Sequence, residues 1–192
     1  MKRMLIVDDE NNVLRALRRT LQRAFAGEDL HLETFDDPRL ALERLGNTMF
    51  DLVISDFRMP PMDGVTFLKR VRQLQPDSVR LILSASTDFD ALMSALNEAE
   101  IFRYLTKPWD DDNLVATVRL GLTRHEQLLE DRRLADEARL LQGDMSVEEI
   151  EMQRLEADEP GITKVKWGPD GSVLLDESLF DAEEQVQARE RP

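Results

Sequence analysis

Five short aliphatic runs, each followed by a segment whose apolar residues recur at helical spacing, leave this chain little choice of fold. Met4-Leu5-Ile6-Val7 stops at Asp8-Asp9, after which Val13, Leu14, Leu17, Leu21, Ala24 and Phe25 repeat every three or four residues. Leu30-His31-Leu32-Glu33-Thr34-Phe35 reads as a second strand, and Pro38 then opens a helix carrying Leu40, Ala41 and Leu45 that stops at Gly46. Leu52-Val53-Ile54-Ser55 leads into a helix with Val65, Phe67, Leu68, Val71 and Leu74, closed by Pro76. Leu81-Ile82-Leu83 leads into one with Ala91, Leu92, Ala95 and Leu96. The fifth run, Ile101-Phe102-Arg103-Tyr104-Leu105, precedes Pro108 and a long helix with Leu114, Val115, Val118 and Leu122. Each crossover helix returns the chain to the same end of the sheet, so the strands pair in parallel. The runs at 4–7, 52–55 and 81–83 are almost wholly apolar, as strands covered on both faces must be, whereas 30–35 alternates and suits an edge. The predicted fold is α/β, a doubly wound five-stranded parallel sheet.

Composition narrows the chemistry. With no Cys and two His (His31 and His125), thiolate zinc sites, disulfides and a cysteine nucleophile are excluded, leaving carboxylates, hydroxyls and amines. No apolar run approaches the roughly 18 residues that span a bilayer, and the N-terminal run meets two aspartates before it can serve as a signal-peptide core. A soluble cytoplasmic protein without membrane contact is expected. The net charge of -14 repels nucleic acid, and residues 121–192 alone carry 9 Lys+Arg against 19 Asp+Glu. Direct DNA binding is therefore not expected.

In an open parallel sheet, ligands bind beyond the carboxyl ends of the strands. The residues there are Asp8-Asp9, Asp56, Ser84 and Thr106-Lys107-Pro108. Three carboxylates on one rim raise each other's pKa unless a cation joins them, and hard oxygen donors suit Mg²⁺. Phosphate is the natural second guest, since Mg²⁺ and Lys107 neutralise its oxygens while Ser84 donates a hydrogen bond. Asp56, central in the sheet, is placed to attack phosphorus and become an aspartyl phosphate.

Taken together, Val7-Asp8-Asp9-Glu10, Asp56-Phe57-Arg58-Met59-Pro60-Pro61-Met62-Asp63-Gly64, Ser84-Ala85 and Tyr104-Leu105-Thr106-Lys107-Pro108 resemble the receiver domains of two-component response regulators, in the right order over about the first 120 residues. The resemblance implies a flavodoxin- or CheY-like sheet of strand order 2-1-3-4-5 and a phosphoacceptor role for Asp56. It also implies direct Mg²⁺ ligation by Asp9 and Asp56, water-mediated ligation by Asp8, and the backbone carbonyl of Arg58 as a further ligand. Ser84 becomes the switch hydroxyl, Tyr104 the switch aromatic and Lys107 the phosphate-binding ammonium, while Arg58 and Ser86 tune water access. The partners implied are a histidine kinase or phosphotransfer protein as donor and a downstream protein as reader of the switched face. The segment Asn97–Tyr104 and the Lys107-Pro108-Trp109 ending resemble receivers of cyclic-dinucleotide phosphodiesterase and hydrogenase regulators.

Plainer readings stand beside these. Asp8 or Asp9 can cap the helix starting near Asn12, Asp63-Gly64 can supply a tight turn, Tyr104 can be core, and a cis bond before Pro108 would aim the Lys107 ammonium inward. A Mg²⁺-dependent phosphatase with an aspartyl nucleophile is a second function, and a receiver-like binding module independent of phosphorylation a third. The receiver is expected to end near residue 122. Over 123–145 Leu128, Leu129, Leu134, Ala138, Leu141 and Met145 continue a helix that is either solvated or a linker pairing with a partner or a second copy. Residues 146–192 form an acidic extension: a short helix opened by the capping box Ser146-Val147-Glu148-Glu149, a β-hairpin over 162–175 turning at Gly168-Pro169-Asp170-Gly171, and a frayed tail. No cyclase, phosphodiesterase, ATPase or DNA-reading motif is found in it, so output through protein contact is expected.

Overall fold

The structure is a computed structural model, and it describes residues 1–85, 99–142, 146–158, 166–167 and 173–174. It divides into two compact units, Met1–Pro160 and Gly161–Pro192. In the first unit the order is β1 (Lys2–Val7), α1 (Asn11–Ala24), β2 (Leu30–Phe35), α2 (Pro38–Leu45), β3 (Leu52–Asp56), α3 (Gly64–Leu74), β4 (Val79–Ala85), β5 (Arg103–Lys107), α4 (Asp111–Gln142) and α5 (Val147–Asp158). The expected helix over Ala91–Leu96, and Ser86 with it, lie outside the described residues.

The five strands form one parallel sheet in the order β2-β1-β3-β4-β5. Apolar residues on both strand faces explain the continuous aliphatic runs. Met4 and Ile6 face one layer with Leu17, Leu21, Ile54, Leu81, Leu114 and Val118, while Leu5 and Val7 face the other with Ala41, Leu45, Phe67, Leu68 and Val71. The alternating strand β2 is an edge, with Leu32 buried and His31 exposed.

The fifth strand begins later than its apolar run suggests, at Arg103 rather than Ile101. The cause is Arg80, a charged residue inside the buried strand β4 and only 5% exposed. Its Nε donates to Ala99 O at 2.9 Å and its Nη1 to Ser78 O at 2.6 Å and Pro76 O at 3.2 Å, while Nη2 reaches Glu100 O at 3.4 Å. Glu100 stands at φ 47°, so the chain turns there, and Leu81 opposite Arg103 is the first pair of the β4–β5 ladder. Gln75 is a second buried polar clip: its amide donates to Leu45 O and Thr48 O, both at 2.7 Å, and accepts from Phe50 N–H at 2.9 Å.

Helix α4 runs without a break past residue 122. Beyond it Leu128 packs on the core, Glu126 pairs with Lys2 at 3.0 Å and Arg132 pairs with Asp77, while Leu129 and Leu134 are exposed. The capping box that opens α5 is formed in both directions: Ser146 N–H donates to Glu149 Oε2 at 2.8 Å, and Glu149 N–H to Ser146 Oγ at 3.2 Å. In the second unit Lys166–Trp167 pairs antiparallel with Val173–Leu174; the rest of the expected hairpin and the tail lie outside the described residues. No helix among the described residues is long and apolar enough to cross a membrane.

Candidate functional site

Parallel pairing sets the carboxyl ends of β1, β3, β4 and β5 side by side, and with them Asp8, Asp56, Ser84 and Lys107. Lys107 ends β5, and its peptide bond to Pro108 is cis. Its Nζ lies 2.7 Å from Asp8 Oδ2 and 2.5 Å from Asp56 Oδ1, bridging two carboxylates that are 0% and 9% exposed at their side chains. Burial pushes the Asp8 carboxyl above the usual range, against the opposing pull of Lys107 and of the Glu10 N–H. Burial works against the Lys107 ammonium, but its hydrogen bonds to Asp56 and Asp8 outweigh that and hold its pKa above the usual lysine value.

The other site residues are arranged around this bridge. Arg58 N–H donates to Asp56 Oδ2 at 3.0 Å, so both carboxylate oxygens are engaged. Ser84, 2% exposed, donates its hydroxyl to Ala85 O at 3.1 Å. Tyr104 is 41% exposed, so it is not core. Asp9 is exposed beside buried Asp8. Neither aspartate caps α1: the cap position is Glu10, without a side-chain bond, and Asp8 Oδ1 accepts the Glu10 N–H at 2.9 Å.

Among the described residues no three carboxylate or imidazole side chains gather closely enough to cage a cation. Lys107 bridges Asp8 and Asp56, while Asp9 is exposed beside them. The donor set still suits Mg²⁺, which binds through one or two carboxylates and completes its octahedron with carbonyl and water oxygens.

Asp63-Gly64 is not the tight turn that the dipeptide suggests. Asp63 is the N-cap of α3, accepting Thr66 N–H and the Thr66 hydroxyl, each at 2.8 Å. Gly64 is needed for close approach: its N–H donates to Phe57 O at 2.9 Å, and a Cβ there would overlap the Asp56 backbone carbonyl. This helix start therefore buttresses the acceptor residue from behind. Arg80 and Gln75 also went unassigned in the sequence, although an arginine inside an aliphatic run is itself the signal of a buried hydrogen-bond hub.

This geometry agrees with what the chain is similar to. The family model of the response regulator receiver domain matches residues 4–119. The chain belongs to the response regulator receiver family. Among relatives, the hydrogenase transcriptional regulatory protein HoxA of Bradyrhizobium diazoefficiens is 43% identical over 116 residues, which cover 60% of this chain and 23% of that protein. The DNA-binding transcriptional regulator NtrC of Escherichia coli is 36% identical over 129 residues, 67% of this chain and 26% of that one. The chain thus spans only a small part of the length of these relatives. The signal receiver domain of an HD domain-containing protein from Pseudomonas fluorescens Pf-5 superposes with a TM-score of 0.60 at 35% identity, covering 65% of this chain and 92% of that domain. Receiver membership accounts for the sheet order.

Proposed function

We propose that this receiver accepts a phosphoryl group on Asp56 from a histidine kinase or phosphotransfer protein, with Mg²⁺, and signals through protein contacts. The observation that carries the reading is the Lys107 ammonium bridging Asp8 and Asp56 at the carboxyl ends of three strands. A carboxylate oxygen of Asp56 forms the new O–P bond, the P–N bond to the donor's histidine breaks, and its electron pair returns to the imidazole. Lys107 then holds a phosphoryl oxygen, keeping beside the site a positive charge that no bulk water supplies. Asp9 and Asp56 would hold Mg²⁺ directly, with Asp8 through water and the Arg58 carbonyl as a further ligand. Bound there, the ion supplies neutralisation of charge on the transferring group.

In this reading Ser84 turns its hydroxyl from Ala85 O toward the new phosphoryl oxygens, and Tyr104 moves from its exposed position into the space vacated. The downstream protein reads that change. Phosphoryl acceptance and its hydrolysis are the only chemistry we assign, in a cytoplasmic setting, with residues 1–122 as receiver, 123–145 as linker helix and 146–192 as an acidic extension.

The test is intact mass and Trp109 fluorescence of the full chain with Mg²⁺ and acetyl phosphate. A labile added mass at Asp56, absent from Asp56→Asn and accompanied by a fluorescence change, is expected. No added mass at Asp56, or steady turnover of a phosphate monoester that Asp56→Asn leaves intact, overturns the reading and favours a phosphatase.

A further inference from the structure

Several arginines of this acidic chain pair with carboxylates: Arg39 with Asp37, Arg44 with Glu33, Arg72 with Glu100, Arg119 with Glu28, Arg132 with Asp77 and Arg133 with Glu130. Helix α1 makes no such pair among the described residues. It has no acidic residue, and Arg15, Arg19 and Arg23 are exposed with no ion pair or hydrogen bond among the described residues. They follow one another at i, i+4 and i+8, so they form a row about 12 Å long on one side of the helix. The opposite side buries Leu14, Leu17 and Leu21 in the core. The row therefore points outward, away from the sheet.

Helix α5 carries the complementary face. Ile150 is 4% exposed and turns inward, while Glu148, Glu151, Met152 and Leu155 share the opposite side at i, i+3, i+4 and i+7. Met152 and Leu155 are 59% and 48% exposed, and neither Glu148 nor Glu151 has a cation among the described residues. This face is about 10 Å long, close to the length of the arginine row. Arginine stems offer apolar length for Met152 and Leu155 while the guanidiniums reach the two carboxylates. Both helices belong to the same compact unit, and among the described residues no ion pair joins the two faces. Each is left to meet its complement on another molecule.

We propose that α5 of one copy docks on the arginine row of α1 of a second copy, so that the receiver self-associates through complementary charge. Sedimentation velocity of the full chain at low and high salt tests this. Oligomers are expected at about 50 mM salt and largely monomers near 1 M, where the screening length shrinks to about 3 Å. Glu148→Lys with Glu151→Lys, and separately Arg19→Glu with Arg23→Glu, should each weaken association at least about tenfold, the equivalent of about 1.4 kcal/mol. An equimolar mixture of the two variants should associate again, which a misfolded variant cannot do; the milder Gln pairs at the same positions repeat the comparison. A wild type that stays monomeric at low salt overturns the proposal. So does association that neither charge reversal weakens, or a mixture that fails to recover it.

Discussion

Lys107 Nζ lies 2.5 Å from Asp56 Oδ1, and the same ammonium holds Asp8 from its other side. The lysine is thus the counter-charge that lets two buried carboxylates face each other. Lys107→Gln removes it and leaves both anions with only neutral donors. The expected cost at neutral pH is roughly 3 kcal/mol, as for other broken buried ion pairs. Added Mg²⁺ should recover more stability in the variant than in the wild type, because there the ion replaces a missing charge instead of competing with one. Urea midpoints of both proteins with and without MgCl₂ decide the matter; equal midpoints in Mg²⁺-free buffer would show that Lys107 does not carry this balance.

His125 should make stability depend on pH. It lies on α4 with Nδ1 3.7 Å from Asp51 Oδ1, and Asp77 and Glu126 also face it. Burial nevertheless dominates and holds its pKa below the usual 6.5. The unfolded chain therefore binds the proton more readily, so the stability tied to neutral His125 is fully present above pH 6.5 and is lost as the pH falls through the lowered folded value. His125→Gln should flatten that part of the profile. The check is the difference between wild-type and variant urea midpoints across the acidic side of neutrality; parallel profiles would mean that the imidazole is not buried as described.

Gly64→Ala should damage the acceptor from behind. The added methyl would overlap the Asp56 backbone carbonyl and crowd Ser55 Oγ, which donates to that same carbonyl. Overpacking of this kind costs about 1–3 kcal/mol, and the relief available is a shift of Asp56 itself. The variant should therefore lose thermal stability and accept phosphoryl groups from acetyl phosphate more slowly. Unchanged rates with an unchanged melting temperature would refute the close approach.

The layers of this fold were legible because both faces of the central strands are covered: Met4 and Ile6 look one way, Leu5 and Val7 the other, and all four had to be apolar. Asp56 and Lys107 were legible for a related reason, since charged residues closing such runs must collect at one rim. What periodicity does not encode is a polar group buried for the backbone's sake. Arg80 moved the start of β5 by two residues, through bonds to carbonyls some twenty positions away. Gly64 is hidden for the opposite reason: an Asp-Gly pair at a helix start suggests a turn conformation, whereas here the glycine answers a distant carbonyl. The acidic face of α5 was visible only as charge until Ile150 showed which side turns inward.

The single tyrosine of the chain reports on the proposed switch directly. Tyr104 is 41% exposed, on the strand whose end carries Lys107, and pairs in register with Ile82, two residues before Ser84. If acceptance of a phosphoryl group draws the Ser84 hydroxyl inward, the ring gains room next to β4 and leaves solvent. Acylation of the phenol by N-acetylimidazole should then slow when Asp56 is phosphorylated, and should be unaffected in Asp56→Asn. Ser84→Ala separates the two events, since the acceptor and Lys107 remain while the hydroxyl that moves is gone. That variant should still take up the phosphoryl group yet keep its tyrosine reactive. Equal slowing in wild type and Ser84→Ala would show that the ring moves without the hydroxyl, and the coupling between the two residues would have to be abandoned.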